Sequence, residues 1–296
     1  MKILLLGKNG QVGWQLQRSL APLGQVLALQ RHSAEHCGDL SQIERLVQTV
    51  RDWRPDVIVN AAAHTAVDRA EAEPELARCL NAAAVAALAQ EAAASDAWLV
   101  HYSTDYVFSG QGQSPWQEGD VTGPLNVYGQ SKLEGEQHIV ASGCKHLILR
   151  TSWVYAARGG NFAKTMLALA AERERLSVID DQHGAPTGAE LIADVTAHAI
   201  VGVCERPQLA GTYHLAAGGQ TTWHGYASHV IAKARQLRPE RGLKVTEIVP
   251  VASGAYVTPA RRPLNSRLDT RKLQQAFGLV LPPWQQGVDR MLTEIL

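Results

Sequence analysis

The sequence predicts an α/β fold built on a doubly wound parallel sheet, and three observations carry that prediction. Short apolar, β-branched runs alternate with helix-forming stretches through the first half of the 296-residue chain. Those runs are continuous in apolar character, as strands covered on both faces are. A glycine cluster, Gly7-Lys8-Asn9-Gly10-Gln11-Val12-Gly13, stands between the first run and the first helical stretch.

Taken in order, residues 2–7, 25–30, 56–62, 97–104 and 146–155 read as strands. Residues 12–22, 41–53, 75–94 and 127–141 read as helices, the third dense in Ala, Leu, Glu and Gln. A strand–helix–strand crossover is almost always right-handed, so this order specifies an open sheet with helices on both faces. Ligands then bind beyond the carboxyl ends of the strands, which selects residues 7–13, 31–40, 60–65 and 103–106 in advance. After residue 155 the pattern loosens into a helix at 160–174, a strand at 176–181 and a helix at 189–205. A strand at 211–217, a helix at 222–237, a strand at 245–251 and a helical stretch at 284–296 follow. No Gly/Ser-rich linker or internal repeat divides the chain. The expected organisation is therefore a dinucleotide-binding domain at 1–155 that carries the catalytic residues. Residues 156–296 are expected to form a smaller, mainly substrate-binding lobe, interleaved with the sheet and not independently folded.

Composition narrows the classes. Hydrophobic residues make up 46% and charged residues 19%, which fits an ordered globular chain. Lys plus Arg equals Asp plus Glu at 28 each, so no bulk charge draws the protein to nucleic acid or to an anionic membrane. The apolar run after Met1-Lys2 is too short for a signal peptide or a membrane span, and a cytoplasmic protein is expected. Cys37, Cys79, Cys144 and Cys204 are far apart and form no C-x-x-C pair, so reduced thiols are expected. His32, His36 and Cys37 lack a second ligand cluster and read as loop, with no metal site expected.

The glycine cluster carries the cofactor argument. Of Gly7, Gly10 and Gly13, one permits a tight turn, one lets backbone approach a diphosphate, and one lets helix and strand pack closely. Gln11 and Val12 open the helix, whose N-terminus offers free N–H groups and partial positive charge to phosphates. At the end of the second strand, Gln30-Arg31 stands where NAD-type domains place an acid, and Arg31 suits a 2′-phosphate instead. NADPH is the expected cofactor, with NADH also accepted. Asp39 and Leu40 are expected around the adenine, although Asp39 and Ser41 also suit a helix start. Ala62, Ala63 and Thr65 follow the third strand, where small residues let backbone lie against a flat cofactor.

Tyr128-Gly129-Gln130-Ser131-Lys132 is the most chemically specific element. On a helix, Tyr128 and Lys132 lie on one face. A phenol with a pKa of about 10 donates a proton at neutral pH, and a neighbouring ammonium supports the charge that develops. Lys132 also has the donors to hold the nicotinamide ribose. Thr104, at the end of the fourth strand, suits polarisation of a substrate carbonyl, and Ser103 competes for that role.

The G-x-x-G-x-x-G spacing resembles the extended short-chain dehydrogenase/reductase family, whose core is a Rossmann-type sheet. Within it, Asn60–Thr65, Ser103-Thr104-Asp105-Tyr106-Val107-Phe108, 126–132, 150–155, 184–188 and Arg261-Arg262-Pro263 resemble the dTDP-4-dehydrorhamnose reductases over essentially the whole chain. The resemblance implies reduction of the C4 ketone of a dTDP-linked 4-keto sugar, dTDP-4-dehydro-β-L-rhamnose, to dTDP-L-rhamnose for polysaccharide synthesis. It implies Tyr128 as general acid, Lys132 as its tuner, and Thr104, Asp105, Tyr106 and Trp153 around the sugar; a core role for Trp153 stays open. It further implies Asn161, Phe162 and Lys164 towards the nucleotide, and Arg261 or Arg262 on the diphosphate. Some members hold Mg2+ at a dimer interface through acids near the first helix and near Glu190. Gln15 replaces one such acid here, which argues against a bridging Mg2+ and leaves monomer or homodimer open. Two other readings share the fold. A sugar-nucleotide epimerase or dehydratase would recycle its cofactor, but Tyr106 after Asp105 breaks the carboxyl pair of such dehydratases. A regulatory NADP-binding subunit would not need Thr104, Tyr128 and Lys132 together.

Overall fold

A computed structural model describes residues 1–296. Its first half runs β1 (Lys2–Leu6), α1 (Gln11–Leu20), β2 (Gln25–Leu29), α2 (Ile43–Trp53), β3 (Val57–Asn60), α3 (Val67–Ala72), α4 (Pro74–Arg78), α5 (Ala84–Ser95), β4 (Trp98–Thr104), α6 (Val127–Ser142) and β5 (Lys145–Thr151). The second half runs β6 (Val154–Tyr155), α7 (Phe162–Glu172), β7 (Arg175–Ile179), β8 (His183–Gly184), β9 (Thr187–Gly188), α8 (Ala189–Glu205), β10 (Gly211–His214), β11 (Thr221–Thr222), α9 (Trp223–Leu237), β12 (Glu247–Val251), α10 (Arg271–Phe277) and α11 (Trp284–Ile295).

The central sheet has six strands in the order β10-β5-β4-β3-β1-β2, every pair parallel. Alternate residues explain why the strands read as unbroken apolar runs. Ile3, Leu5, Val57, Val59, Val100, Leu147 and Leu149 face one core with Leu16 and Leu20 of α1, several residues of α8, and Leu273 and Phe277 of α10. Leu4, Leu6, Ile58, Leu99 and Ile148 face a second core with α2, α5 and Ile139 of α6. Burial on both faces is worth roughly 1.5–3 kcal/mol for each large aliphatic side chain, which drives the three-layer arrangement.

Chain order reverses at β1, with β2 on one side and β3 on the other, so the switch-point crevice opens between the ends of β1 and β3. The second half contributes β10 to the same sheet, where Gly211 to His214 pair with Leu147 to Arg150. It also forms two smaller cores, in which α7, α9 and α11 pack with each other and α7 and α9 cover β7.

Several elements differ from the sequence reading. The stretch 75–94 is three segments, α4, a π-helical turn at Cys79–Ala83 and α5. The strand expected through residue 155 stops at Thr151, because Trp153 adopts φ +51° and redirects the chain into β6. The strand at 211–217 pairs only as far as His214. Short α3 and α10 carried no clear periodic signal.

Candidate active site

A cleft of about 750 Å³ lies along the carboxyl ends of β1 to β5. Its floor starts at the glycine turn. Gly7 has φ +86°, and a Cβ there would stand 2.8 Å from the Ala61 carbonyl carbon, so β1 and β3 approach closely only because Gly7 has none. A Cβ on Gly13 would sit 2.7 Å from the Gly7 carbonyl carbon, so Gly13 sets the packing of α1 on the turn and does not itself line the cleft. Gly10 caps α1 without a side chain and, along with Gln11 and Val12, lines the opening. No acid stands in the first turn of α1 to oppose a phosphate.

Gln30, Arg31, Asp39 and Leu40 form one wall of the cleft. Asp39 accepts from the Ser41 N–H at 2.9 Å and from its hydroxyl at 2.7 Å, and Arg31 reaches it at 3.3 Å from an exposed position. Helix α2 starts at Ile43 with no side-chain cap, so Asp39 and Ser41 hold the preceding turn and not the helix end. Ala62, Ala63 and Thr65 line the middle of the cleft, after Asn60 accepts the Ala62 N–H at 3.2 Å.

Tyr128 and Lys132 stand on α6, and local chemistry fixes that helix in place. The Asn126 side chain caps it, accepting from Gly129 N–H at 2.8 Å, and Glu71 accepts from Val127 N–H at 2.8 Å. A Cβ on Gly129 would lie 3.0 Å from the Tyr106 carbonyl carbon, so the helix start rests directly on the 105–107 turn. Further along, Asn81 donates to Ser131 Oγ at 3.0 Å, and the buried Arg150 holds Glu136 through Nε at 2.9 Å and Nη2 at 2.6 Å. Such a pair holds α6 to β5 with two parallel bonds.

Thr104, Asp105, Tyr106, Tyr128, Lys132 and Trp153 all reach the cleft. The Tyr106 and Tyr128 rings meet edge to face at 5.7 Å. Burial pushes the Tyr128 phenol up to about 12, against the pull of the neighbouring Thr104 hydroxyl, with the Asp105 carboxyl adding to the rise. Burial pushes the Lys132 ammonium down to about 8, against the Glu136 carboxylate. Asp105 is raised to about 7 by burial, although the Ser266 and Thr104 hydroxyls favour its charged form. The group therefore offers a phenol that keeps its proton and an amine close to titration.

Gln11 Oε1, Ser103 Oγ, Asp105 Oδ2, Thr151 Oγ1 and Ser152 Oγ are buried without a partner, and all five residues line this cleft. Buried polar atoms ordinarily find partners, so their concentration here fits a polar ligand that supplies them. The glycine turn and these orphaned oxygens together suit a dinucleotide and a hydroxylated substrate.

Besides Gly13, five residues expected at the site stand outside its lining: Asn161, Phe162, Lys164, Arg261 and Arg262. Asn161 caps α7 through Lys164 N–H and donates to Ala156 O at 2.7 Å, which uses its polar atoms locally. The Lys164 ammonium is tied to the carbonyls of Ala157 and Gly159. Arg261 is exposed, and its carbonyl accepts from Asn126 at 2.7 Å, while Arg262 pairs with Asp68 at 2.6 Å. Conversely, Trp223 was missing from the sequence reading. It stacks on Trp153 at 3.7 Å and 13° on the cleft wall, a contact between distant segments that no local pattern announces. His101 was missed because it sits inside an apolar strand.

The RmlD substrate binding domain family matches residues 1–296. The chain belongs to this reductase family. A dTDP-4-dehydrorhamnose reductase of Salmonella typhimurium is 61% identical over 295 residues, covering 100% of this chain and 98% of that one. Among solved structures, a dTDP-4-dehydrorhamnose reductase of Clostridium acetobutylicum superposes with a TM-score of 0.88 at 31% identity, covering 100% of this chain and 99% of its own. A dTDP-4-dehydrorhamnose reductase of Bacillus anthracis in complex with NADP gives 0.87 at 33%, with 99% of each chain covered. Like its RmlD relatives, this chain is an oxidoreductase on a Rossmann-type parallel sheet. No helix is long and apolar enough to cross a membrane.

Proposed function

We propose that the protein reduces the C4 ketone of dTDP-4-dehydro-β-L-rhamnose to dTDP-L-rhamnose, using NADPH, with Tyr128 as proton donor. The observation that carries this reading is the convergence of Thr104, Tyr128 and Lys132 on the cleft that the glycine turn opens. NADPH supplies the hydride. Gly7, Gly10, Gln11 and Val12 receive its diphosphate, Arg31, Asp39 and Leu40 its adenosine end, and Ala62, Ala63 and Thr65 its path along the floor.

Thr104 donates a hydrogen bond to the ketone oxygen and polarises it. Tyr128 passes its phenolic proton to that oxygen as negative charge builds there, and Lys132 stabilises the phenolate left behind. Asp105, Tyr106 and the Trp153–Trp223 pair hold the sugar and its nucleotide, with residues 156–296 acting as the substrate lobe. A bridging Mg2+ has no part in these steps. The test is NADPH consumption against a panel of nucleotide-linked 4-keto sugars, with the product's C4 configuration read by NMR. Stoichiometric oxidation with the dTDP substrate supports the reading, whereas product formation without net oxidation overturns it in favour of an epimerase.

NADPH is the preferred cofactor because Arg31 has no other carboxylate partner than Asp39 and is free to turn to a 2′-phosphate. The kcat/KM for NADPH should exceed that for NADH, with both used. Equal or better efficiency with NADH would remove Arg31 from cofactor choice.

A further inference from the structure

Beneath the cleft, three buried side chains from three elements form a row. Asn60 Nδ2 at the end of β3 lies 3.2 Å from His101 Nδ1 on β4, and His101 Nε2 lies 3.0 Å from Lys132 Nζ on α6. Asn60 and His101 are 1% exposed and Lys132 2%, so no bulk water replaces these contacts. One assignment of these contacts keeps the Ala62 N–H bonded. The Ala62 N–H donates to Asn60 Oδ1, which turns the Asn60 NH2 towards His101. An NH2 donor requires a lone pair on Nδ1, so the proton of the neutral ring sits on Nε2 and points at Lys132.

We propose that Asn60 locks His101 in the Nε2–H tautomer, which offers Lys132 a donor and no acceptor and makes His101 a positioning residue that loosens the hold of Lys132 on its proton, so that the ammonium is lost at lower pH than it would be facing a lone pair. An ammonium has three donors and no lone pair, so facing an N–H it is disfavoured against the free amine. His101 itself stays neutral, since burial and then the adjacent Lys132 hold it well below the ordinary imidazole range. The other charged or titratable groups around Lys132 are Tyr128 and Glu136 on α6, Asp105 after β4, and Arg150 on β5, which is paired with Glu136. Glu136 favours the ammonium, but Arg150 already engages both its oxygens, so it offsets the effect of burial only in part. The ammonium is the form that stabilises phenolate developing on Tyr128, so the His101 ring sets the pH above which that support is lost.

This inference rests on the reductase reading for its catalytic meaning, but its first test needs no substrate. Full-length protein carrying 15N-labelled histidine should show, for the ring in contact with Lys132, a protonated Nε2 and an unprotonated Nδ1 at neutral pH. The reverse assignment overturns the proposal, whatever the protein reduces. The second test uses Asn60→Asp, whose carboxylate demands a proton on Nδ1 and turns the Nε2 lone pair towards Lys132. The ammonium then gains an acceptor, so its loss on raising pH is delayed. The alkaline limb of kcat/KM should move up by about one pH unit, a tenfold change in the protonation equilibrium. In a His101→Gln background the same substitution should leave the limb where that background puts it. An equal shift in both backgrounds shows the new charge acting directly and overturns the proposal. If no 4-keto sugar is reduced, the functional reading fails while the tautomer measurement still decides this one.

Discussion

At the residue scale, the chemistry rests on groups that burial has moved from their ordinary proton affinities. Tyr128 holds its proton up to about 12, so at neutral pH it is a donor and never a resting phenolate. Replacing Tyr128 with Phe keeps the edge-to-face packing on Tyr106 but removes the proton. Turnover should fall roughly 100-fold or more with NADPH affinity nearly unchanged, read by steady-state kinetics alongside fluorescence titration. Unchanged turnover would take Tyr128 out of the mechanism. Asp105 gives a separate stability prediction. Its folded-state value of about 7 exceeds the ordinary 3.8, so the folded protein keeps a proton that the unfolded chain releases. Its contribution to stability is fully present below the unfolded value and is lost as pH rises through 7. Asp105→Asn cannot ionise, so at pH 8 it should exceed the parent in stability by up to on the order of 4 kcal/mol, with the gap closing towards pH 5. Urea unfolding at the two pH values measures this, and parallel stability curves would show that Asp105 is not the group responsible.

At the scale of elements, glycine positions separate folding from binding. A side chain on Gly13 meets the Gly7 backbone, which cannot retreat without moving β1, whereas one on Gly10 meets only Gly7 O at 3.4 Å and projects beside the cleft. Gly13→Ala should therefore lower stability by about 1–3 kcal/mol and weaken NADPH binding with it. Gly10→Ala should melt close to the parent and lose NADPH affinity alone; thermal unfolding and titration distinguish the two, and equal melting losses would refute the distinction. The same contrast explains what the sequence made legible. The glycine turn, the four strands before α6 and the Tyr128–Lys132 spacing depend on near neighbours in the chain, so pattern alone located them. The break after Thr151 was hidden because Trp153 bends the backbone at φ +51° against its side-chain preference, a tertiary effect. The π-helical turn was equally hidden, since Cys79–Ala83 keeps helical composition while Asn81 bonds sideways to His64 and Ser131. Trp223 and His101 enter the site only through contacts across the fold, and the carbonyl partners of Lys164 cannot be read from sequence.

At the scale of the whole molecule, the two halves share a sheet through β10, and one short segment of the second half, residues 260–262, is tied to α3 and to the start of α6. Ala260 N–H donates to Asp68 Oδ1 at 3.2 Å, Arg262 pairs with Asp68 at 2.6 Å, and the Arg261 carbonyl accepts from the α6 cap, Asn126, at 2.7 Å. The second half is thereby tied to α3 and to the start of the helix that carries Tyr128, next to Tyr106, whose phenol feels both Arg262 and Asp68. None of these contacts touches the glycine turn or the wall around Arg31, so breaking them should disturb sugar binding and spare the cofactor. The ion pair is partly exposed and worth at most about 1 kcal/mol, which converts to a change of roughly fivefold. Arg262→Ala should accordingly raise KM for the dTDP sugar by up to about fivefold, with kcat and the NADPH dissociation constant within experimental error of the parent. A fall in kcat at constant KM would mean that the segment positions Tyr128 through Asn126. A matching loss of NADPH affinity would mean that the two halves move as one body, because a latch confined to the sugar end has no route to the diphosphate.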